Sequence, residues 1–269
     1  MSILTTILEQ KQVEIAALDG VNLRRAAESA PAPRDFVGLL QAGRVGRRPA
    51  LIAELKRASP SKGLLAPNLD LLDAASIYTA NGAAAISVLT DHTFFQGSMD
   101  TLRALRFTRR IGLPLLRKDF IISDSQLYEA RAGGADAVLL IAAALTDDAH
   151  LADLHALALE IGLTPLVEVH DRAETERVLK LTELRLVGIN NRDLSTFNVT
   201  LATTETLRPL IPDGIAVVAE SGIFTDADVT RLERCGVDAV LVGEALVTAP
   251  DIAAKVREIS GRPAEEGTV

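Results

Sequence analysis

Several apolar runs in this chain stop on residues that can move protons or hold anions. Glu54-Leu55-Lys56 closes one run, Lys118-Asp119 another and Glu168 a third. Asn190-Asn191-Arg192, Glu220-Ser221-Gly222 and Gly243-Glu244 close three more. Carboxylates and ammonium groups set side by side suit general acid–base chemistry, because one gives the proton that another takes. Residues two apart on a strand share a face. Glu54 and Lys56 therefore share theirs with Ile52, Lys118 with Leu116, Glu168 with Leu166, and Arg192 with Asn190 and Gly188. If those smaller or apolar partners face an interior, the ionisable groups converge at its mouth. A single charge of this kind is commonly a rim salt bridge, and for Asp119 and Glu244 that explanation is at least as good. For so many strands to end this way together points to a shared site.

Two other stretches suit an anion. Ser221-Gly222 and Gly243 place unhindered backbone N–H groups after the last two apolar runs, where a phosphate can be cradled. Arg57-Ala-Ser-Pro-Ser-Lys-Gly63 follows the first run, next to Glu54 and Lys56, and its length suits a functional lid. The remaining reactive residues form no pattern. His150 and His155 are five apart, out of line for a metal on a helix, and His92 and His170 read as isolated surface groups. Cys235 reads as packing rather than a nucleophile, and no Ser/His/Asp arrangement is legible. The expectation is a site with no metal and no covalent catalysis.

The elements that must position these residues alternate along the chain. Short, nearly continuous apolar runs at 51–56, 84–89, 114–118, 137–141, 164–169, 186–190, 215–220 and 239–242 read as buried parallel strands. Helical patterns lie between them at 71–80, 99–110, 124–132, 147–161, 172–179, 203–210 and 226–234. Gly134-Ala-Asp-Ala-Val-Leu-Leu140 is repeated as Gly236-Val-Asp-Ala-Val-Leu-Val242, and Gly82-Ala-Ala-Ala-Ile-Ser-Val88 is a looser copy. In each, the glycine can end a helix in the left-handed conformation before a strand begins. Eight strands with about one helix after each give the fold class α/β, a (β/α)8 TIM barrel. A doubly wound sheet is the alternative, but its dinucleotide and nucleotide fingerprints are missing. In a barrel the active site lies at the C-terminal strand ends, where the polar residues fall.

Residues 1–48 precede the first strand as an N-terminal helical extension. Ile3, Ile7, Val13 and Ala17 suggest one amphipathic helix, and 35–41 a second. The tail 261–269 is small, polar and expected to fray. At roughly 150 residues per domain, 269 residues suggest nearly two domains, but a barrel of about 250 residues is a single one. The reading is therefore one domain over 1–269, with the barrel at 49–260.

Composition excludes other classes. The net charge of -8 gives no basic footprint, so no nucleic acid is expected. The longest apolar run, 137–145, is far short of the roughly 20 residues that span a bilayer, so no membrane partner is expected. The N-terminus carries no signal-peptide pattern, and the single cysteine fits a reducing cytoplasm.

Ala53-Glu54-Leu55-Lys56-Arg57-Ala58-Ser59-Pro60-Ser61 resembles the most distinctive signature of the indole-3-glycerol phosphate synthase family. Further matches follow in order: Ser87-Val88-Leu89-Thr90, Phe95-Gln96-Gly97-Ser98, Arg117-Lys118-Asp119-Phe120-Ile121, Gly188-Ile189-Asn190-Asn191-Arg192-Asp193-Leu194 and Ala219-Glu220-Ser221-Gly222-Ile223. The resemblance covers about residues 3 to 258 and accounts for the N-terminal extension. It implies a lyase of tryptophan biosynthesis that needs no cofactor. The substrate, 1-(2-carboxyphenylamino)-1-deoxyribulose 5-phosphate, would undergo ring closure, decarboxylation and dehydration.

By that resemblance Lys118 is the general acid of ring closure, its pKa lowered by burial or by Lys56. Glu168 and Glu54 are candidates for base work, with Lys56 or Lys118 as acid in dehydration. Asn190 and Glu220 would contact substrate hydroxyls or position the lysines. Ser59 and Arg192 would help hold the anionic groups, and Leu89, Phe95, Phe120 and Leu139 would line the ring pocket. Ser221, Gly222 and Gly243 would cradle phosphate. Some members place Ser after the eighth-strand Gly, whereas this chain has Glu244. The isomerase that acts on phosphoribosylanthranilate shares the fold but uses a Cys at the end of its first strand, where this chain has Glu54-Leu55-Lys56. A catalytically silent barrel would not require paired acids and bases at one rim. The partner expected is a small anionic phosphosugar, with the chain a monomer or a weak homo-oligomer.

Overall fold

Each β-branched apolar run becomes a strand, and each strand is followed by a polar turn and a helix. The computed structural model describes residues 2–60, 62–108, 111–194 and 196–263. Ser61 of the signature, the end of the helix expected to reach residue 110, and residues 264–269 of the tail lie outside the described residues.

The extension holds α1 (Ile3–Ala16), α2 (Gly20–Ser29) and α3 (Phe36–Ala42). The barrel then runs β1 (Ala50–Leu55), a small hairpin β2 (Ala58–Ser59) and β3 (Gly63–Leu64), α4 (Leu71–Ala80), β4 (Ala85–Leu89) and α5 (Met99–Phe107). Next come β5 (Leu115–Lys118), α6 (Asp124–Gly133), β6 (Ala137–Ile141), α7 (Asp148–Glu160), β7 (Thr164–Val169) and α8 (Arg172–Val178). The chain ends with β8 (Leu186–Asn190), α9 (Ala202–Leu207), β9 (Ala216–Glu220), α10 (Asp226–Arg234), β10 (Ala239–Val242), α11 (Glu244–Val247) and α12 (Ile252–Ser260). Among the described residues eight parallel strands close in the order β1-β10-β9-β8-β7-β6-β5-β4. The expected barrel and its helical extension are therefore present.

Local chemistry sets the boundaries. Asp70, Ser98, Ser123, Asp147, Asp171 and Asp251 each cap a helix by accepting from its first-turn backbone N–H groups. Thr225 and Asp228 form a reciprocal capping box at α10. The three repeat glycines, Gly82, Gly134 and Gly236, all take positive φ, as their place between helix and strand requires. The expected helix over 203–210 instead ends at Leu207 and continues as a 3-10 turn through Pro209, which has no N–H to donate.

The barrel interior is built in layers by the two-residue alternation. Its lower end is lined by small residues, Ala50, Ala85, Ala137, Ala216 and Ala239, and Phe36 and Leu40 of α3 join the same buried cluster. Two residues higher on the strands lie Ile52, Leu139, Val218 and Leu241, with Leu116 and Leu166 from the neighbouring strands. One further step along the same faces brings Glu54, Lys118, Glu168 and Glu220. Charged groups thus stand on an apolar floor, where electrostatic interactions are less screened than in water.

Candidate active site

A cavity opens at the C-terminal ends of the strands. Glu54, Lys56, Ser59, Phe95, Lys118, Phe120, Glu168, Asn190, Arg192, Glu220, Ser221, Gly222 and Gly243 all line it. The fold therefore brings thirteen of the fifteen predicted residues to one chamber. Leu89 and Leu139 do not line it. Leu139 is buried in the floor, and Ile141, two residues further along β6, reaches the chamber instead. A strand rises about 3.3 Å per residue, so Leu139 sits one layer too deep. Leu89 is covered by the turn that follows β4, whose Ser98 N–H donates to the Leu89 carbonyl at 3.2 Å.

At the centre, Lys118 Nζ lies 3.5 Å from Glu168 Oε2 and 3.6 Å from Glu220 Oε2. Both carboxylate side chains are only 2% exposed. Beside them Lys56 Nζ pairs with Glu54 Oε1 at 3.1 Å. Two glycines make room for this packing. A Cβ on Gly188 would stand 2.4 Å from Glu220 Oε1, and one on Gly243 would stand 2.5 Å from Glu54 Oε1. The small residues below and beside the carboxylates are thus part of the site.

Burial and charge act against each other here. Burial alone would lower the pKa of Lys118, but Glu168, Glu220 and Glu54 outweigh it and hold the ammonium above its usual range. This corrects the expectation of a lowered lysine pKa: the nearest charges are carboxylates, and Lys56 is engaged by Glu54. The two glutamates facing Lys118 diverge. Burial would push Glu168 up, but Lys118 and His170 pull it well below the usual carboxylate range. Glu220 is pushed up, by burial and then by the Glu168 charge, against the pull of Lys118. One carboxylate stays ionised and its neighbour holds a proton more tightly. Carboxyl groups driven apart in this way can serve different proton roles.

The two ends of the chamber differ in character. Phe95 and Phe120 pack with ring centroids 6.1 Å apart and planes tilted by 37°. At the other side Ser221 and Gly222 both take left-handed backbone, with φ of 65° and 77°. For Ser221 that conformation is uncommon, and it lies at the predicted anion cradle. Arg192 reaches the chamber from the bend after β8, where its N–H donates to Asn190 Oδ1 at 3.1 Å. Glu244 pairs with Lys62 of the loop after β1 at 3.4 Å.

Three features escaped the sequence reading. Ile3, Leu4 and Ile7 of α1 form part of the chamber wall. The expected apolar stripe of that helix is partly wrong, since Val13 is 66% exposed and Lys11 is buried. Lys11 Nζ contacts Asp91 at 2.7 Å and Asp119 at 3.0 Å, and Arg117 contacts Asp119 at 3.2 Å. Asp119 is thus a structural ion-pair residue that fixes α1 to the strand carrying Lys118. The Ile3, Ile7 and Lys11 spacing was the available signal, because residues four apart share a helix face. His170 is the third feature. It is not an isolated surface group: its side chain is 10% exposed and its Nε2 lies 3.2 Å from Glu168 Oε1. Cys235 donates to the Arg231 carbonyl at 3.4 Å and remains a packing residue.

Known proteins resemble this chain over nearly its whole length. The family model described as indole-3-glycerol phosphate synthase matches residues 4–259. The chain belongs to the indole-3-glycerol phosphate synthase family. Indole-3-glycerol phosphate synthase of Roseiflexus castenholzii is 52% identical over 97% of this chain and 99% of its own length. That of Polaromonas naphthalenivorans is 48% identical over 96% of this chain and 98% of its own length. Among solved structures, a tryptophan synthase chain from M. tuberculosis superposes with a TM-score of 0.59 at 17% identity, covering 86% of this chain and 98% of that chain. That likeness shows the barrel fold alone. Among the described residues no helix is long and apolar enough to cross a membrane.

Proposed function

We propose that this member of the indole-3-glycerol phosphate synthase family is a carbon–carbon lyase of the cytoplasm. It would convert 1-(2-carboxyphenylamino)-1-deoxyribulose 5-phosphate to indole-3-glycerol phosphate, CO2 and water in tryptophan biosynthesis. We take the chain as one domain acting without a cofactor, as a monomer or a weak homo-oligomer. The observation that carries the reading is Lys118, held between Glu168 and Glu220 over an apolar floor and beside a separate Glu54–Lys56 pair.

The reaction needs two acid–base events, and the chamber holds two acid–base groupings. In ring closure the aromatic carbon attacks the ketone, and charge develops on its oxygen. The Lys118 ammonium would stabilise that charge and give its proton as the alkoxide forms. A raised lysine pKa suits this order, because the alkoxide is far more basic than the ketone. Loss of CO2 then returns electrons to the ring system. In dehydration Lys56 would protonate the departing hydroxyl and Glu54 would take the remaining proton, their 3.1 Å contact placing donor and acceptor side by side. Glu168 remains the fixed counter-charge to Lys118.

Binding would divide along the chamber. Phe95 and Phe120 would hold the benzoate ring, with Arg192 and Ser59 near its carboxylate. Asn190 and Glu220 would contact the sugar hydroxyls. Backbone N–H groups at Ser221, Gly222 and Gly243 would hold phosphate. Glu244 carries the wrong charge for a side-chain phosphate contact, and its pairing with Lys62 supports a backbone contact there.

Incubation of the purified protein with the carboxyphenylamino-deoxyribulose phosphate, followed by indole fluorescence, tests the assignment. Fluorescent product is expected, and no product at high enzyme concentration would sink it.

A further inference from the structure

His170 stands two residues beyond Glu168, on the same side of the chain. Its ring is fixed at both nitrogens. Nε2 lies 3.2 Å from Glu168 Oε1, a charge contact rather than a linear hydrogen bond. Nδ1 lies 3.1 Å from Glu174 Oε2, and the His170 backbone N–H donates to that same oxygen at 2.7 Å. Glu174 is itself set by the start of α8, where its N–H donates to the Asp171 cap at 2.8 Å. A chain of contacts therefore runs from the helix start through Glu174 to His170 and on to Glu168. Lys118 meets the other oxygen of Glu168, Oε2, at 3.5 Å. Glu168 is thus met by Lys118 on one oxygen and by His170 on the other, and the Asn190 side chain also hydrogen-bonds to it.

We infer that His170 is a positioning residue, which clamps one oxygen of Glu168 and keeps the other facing Lys118. It acts through Glu168 and is absent from the residues that line the chamber. The inference rests on the proposed role of Glu168 as the counter-charge of the reacting lysine.

The charge balance supports the clamp. Burial would lower the pKa of His170, but Glu168 and Glu174 outweigh it and bring it up to about 10. These two carboxylates, from β7 and α8, are the charged groups that act on the ring, and Lys118 of β5 meets it only through Glu168. The ring is therefore an imidazolium at neutral pH. Its charge joins Lys118 in keeping Glu168 ionised. A carboxylate that lost this partner would protonate more readily and would lose one of the contacts that orient it.

The test compares His170→Gln and His170→Ala with the parent in the full chain, by steady-state kinetics across pH and by thermal melting. Glutamine keeps a side-chain N–H donor but not the charge. His170→Gln is expected to lower kcat about tenfold with KM unchanged. It should also raise the acidic limb of the kcat profile by about one pH unit or more, as expected when a carboxylate loses a nearby cation. His170→Ala should lose about a hundredfold, because the clamp is gone as well as the charge. A folded His170→Gln protein with the parent kcat and pH profile would overturn the inference, as would a change confined to Tm. If both variants fail to fold, Glu174→Gln replaces them; a smaller shift of the same sign supports the clamp, and no shift overturns it. Glu168→Gln separates the two readings. If it turns over like the parent, the role given to Glu168 fails. If it is inactive while His170→Gln is parent-like, only the clamp fails.

Discussion

Replacing Lys118 by Met keeps most of the side chain's length and removes its charge. The ammonium lies 3.5 Å from Glu168, and at an effective dielectric near 20 such a pair attracts by about 5 kcal/mol. Three consequences follow from that magnitude. Turnover loses the group proposed to meet the developing alkoxide, and kcat should fall by about 10²–10⁴, which is about 3–5 kcal/mol of barrier. Both facing carboxyls lose a cation that lowers their pKa, so the residual activity should have its acidic limb at higher pH. Stability should drop by about 3 kcal/mol, the low end for a broken buried pair, because His170 still faces Glu168. The assay is indole fluorescence at saturating substrate from acid to alkaline pH, with urea unfolding on the same preparations. A folded Lys118→Met protein with turnover within tenfold of the parent would refute the reasoning.

Other parts of the structure give sharper or simpler tests. Lys11→Met should destabilise the chain by about 3–5 kcal/mol in urea unfolding, because it leaves buried Asp91 and Asp119 short of a cation; an unchanged midpoint would remove Lys11 from its linking role. Gly222→Asp should raise KM strongly in the same fluorescence assay, since it brings a negative charge to the proposed phosphate cradle and a Cβ to within 2.5 Å of Val199; an unchanged KM would count against that cradle. Phe36→Ala should lower stability by about 3–5 kcal/mol by opening a cavity at the lower end of the barrel, while an alanine variant as stable as the parent would mean that Phe36 is dispensable to that cluster. The His170 pKa is 6.5 in an unfolded chain and about 10 in the folded one, so its contribution to stability is complete below pH 6.5 and is lost as pH rises through 10. The Tm deficit of His170→Gln should accordingly be largest in acid and shrink toward pH 10, and a deficit that grows with pH would contradict the sign.

The sequence by itself determined the elements and the end of the barrel where the candidate chamber opens. Apolar runs such as 137–141 and 164–169 coincide with β6 and β7, because short, nearly continuous apolar stretches bounded by turn signals suit strands buried on both faces. Alternation then placed Glu54, Lys118 and Glu168 above Ile52, Leu116 and Leu166, since the two-residue period leaves no freedom once the interior face is known. Tertiary structure decided what no local period encodes. Depth along β6 put Ile141 in the chamber and Leu139 below it. The docking of α1 made Lys11 a buried partner of Asp91 and Asp119. The proton state of the site was likewise a matter of distance across the barrel. Lys118, Glu168 and Glu220 come from three strands, and the lysine pKa rises because two distant stretches of chain bring carboxylates within 4 Å of it. Strand pattern is a short-range property and is written in neighbouring residues, whereas pKa depends on which charges meet after the chain has closed.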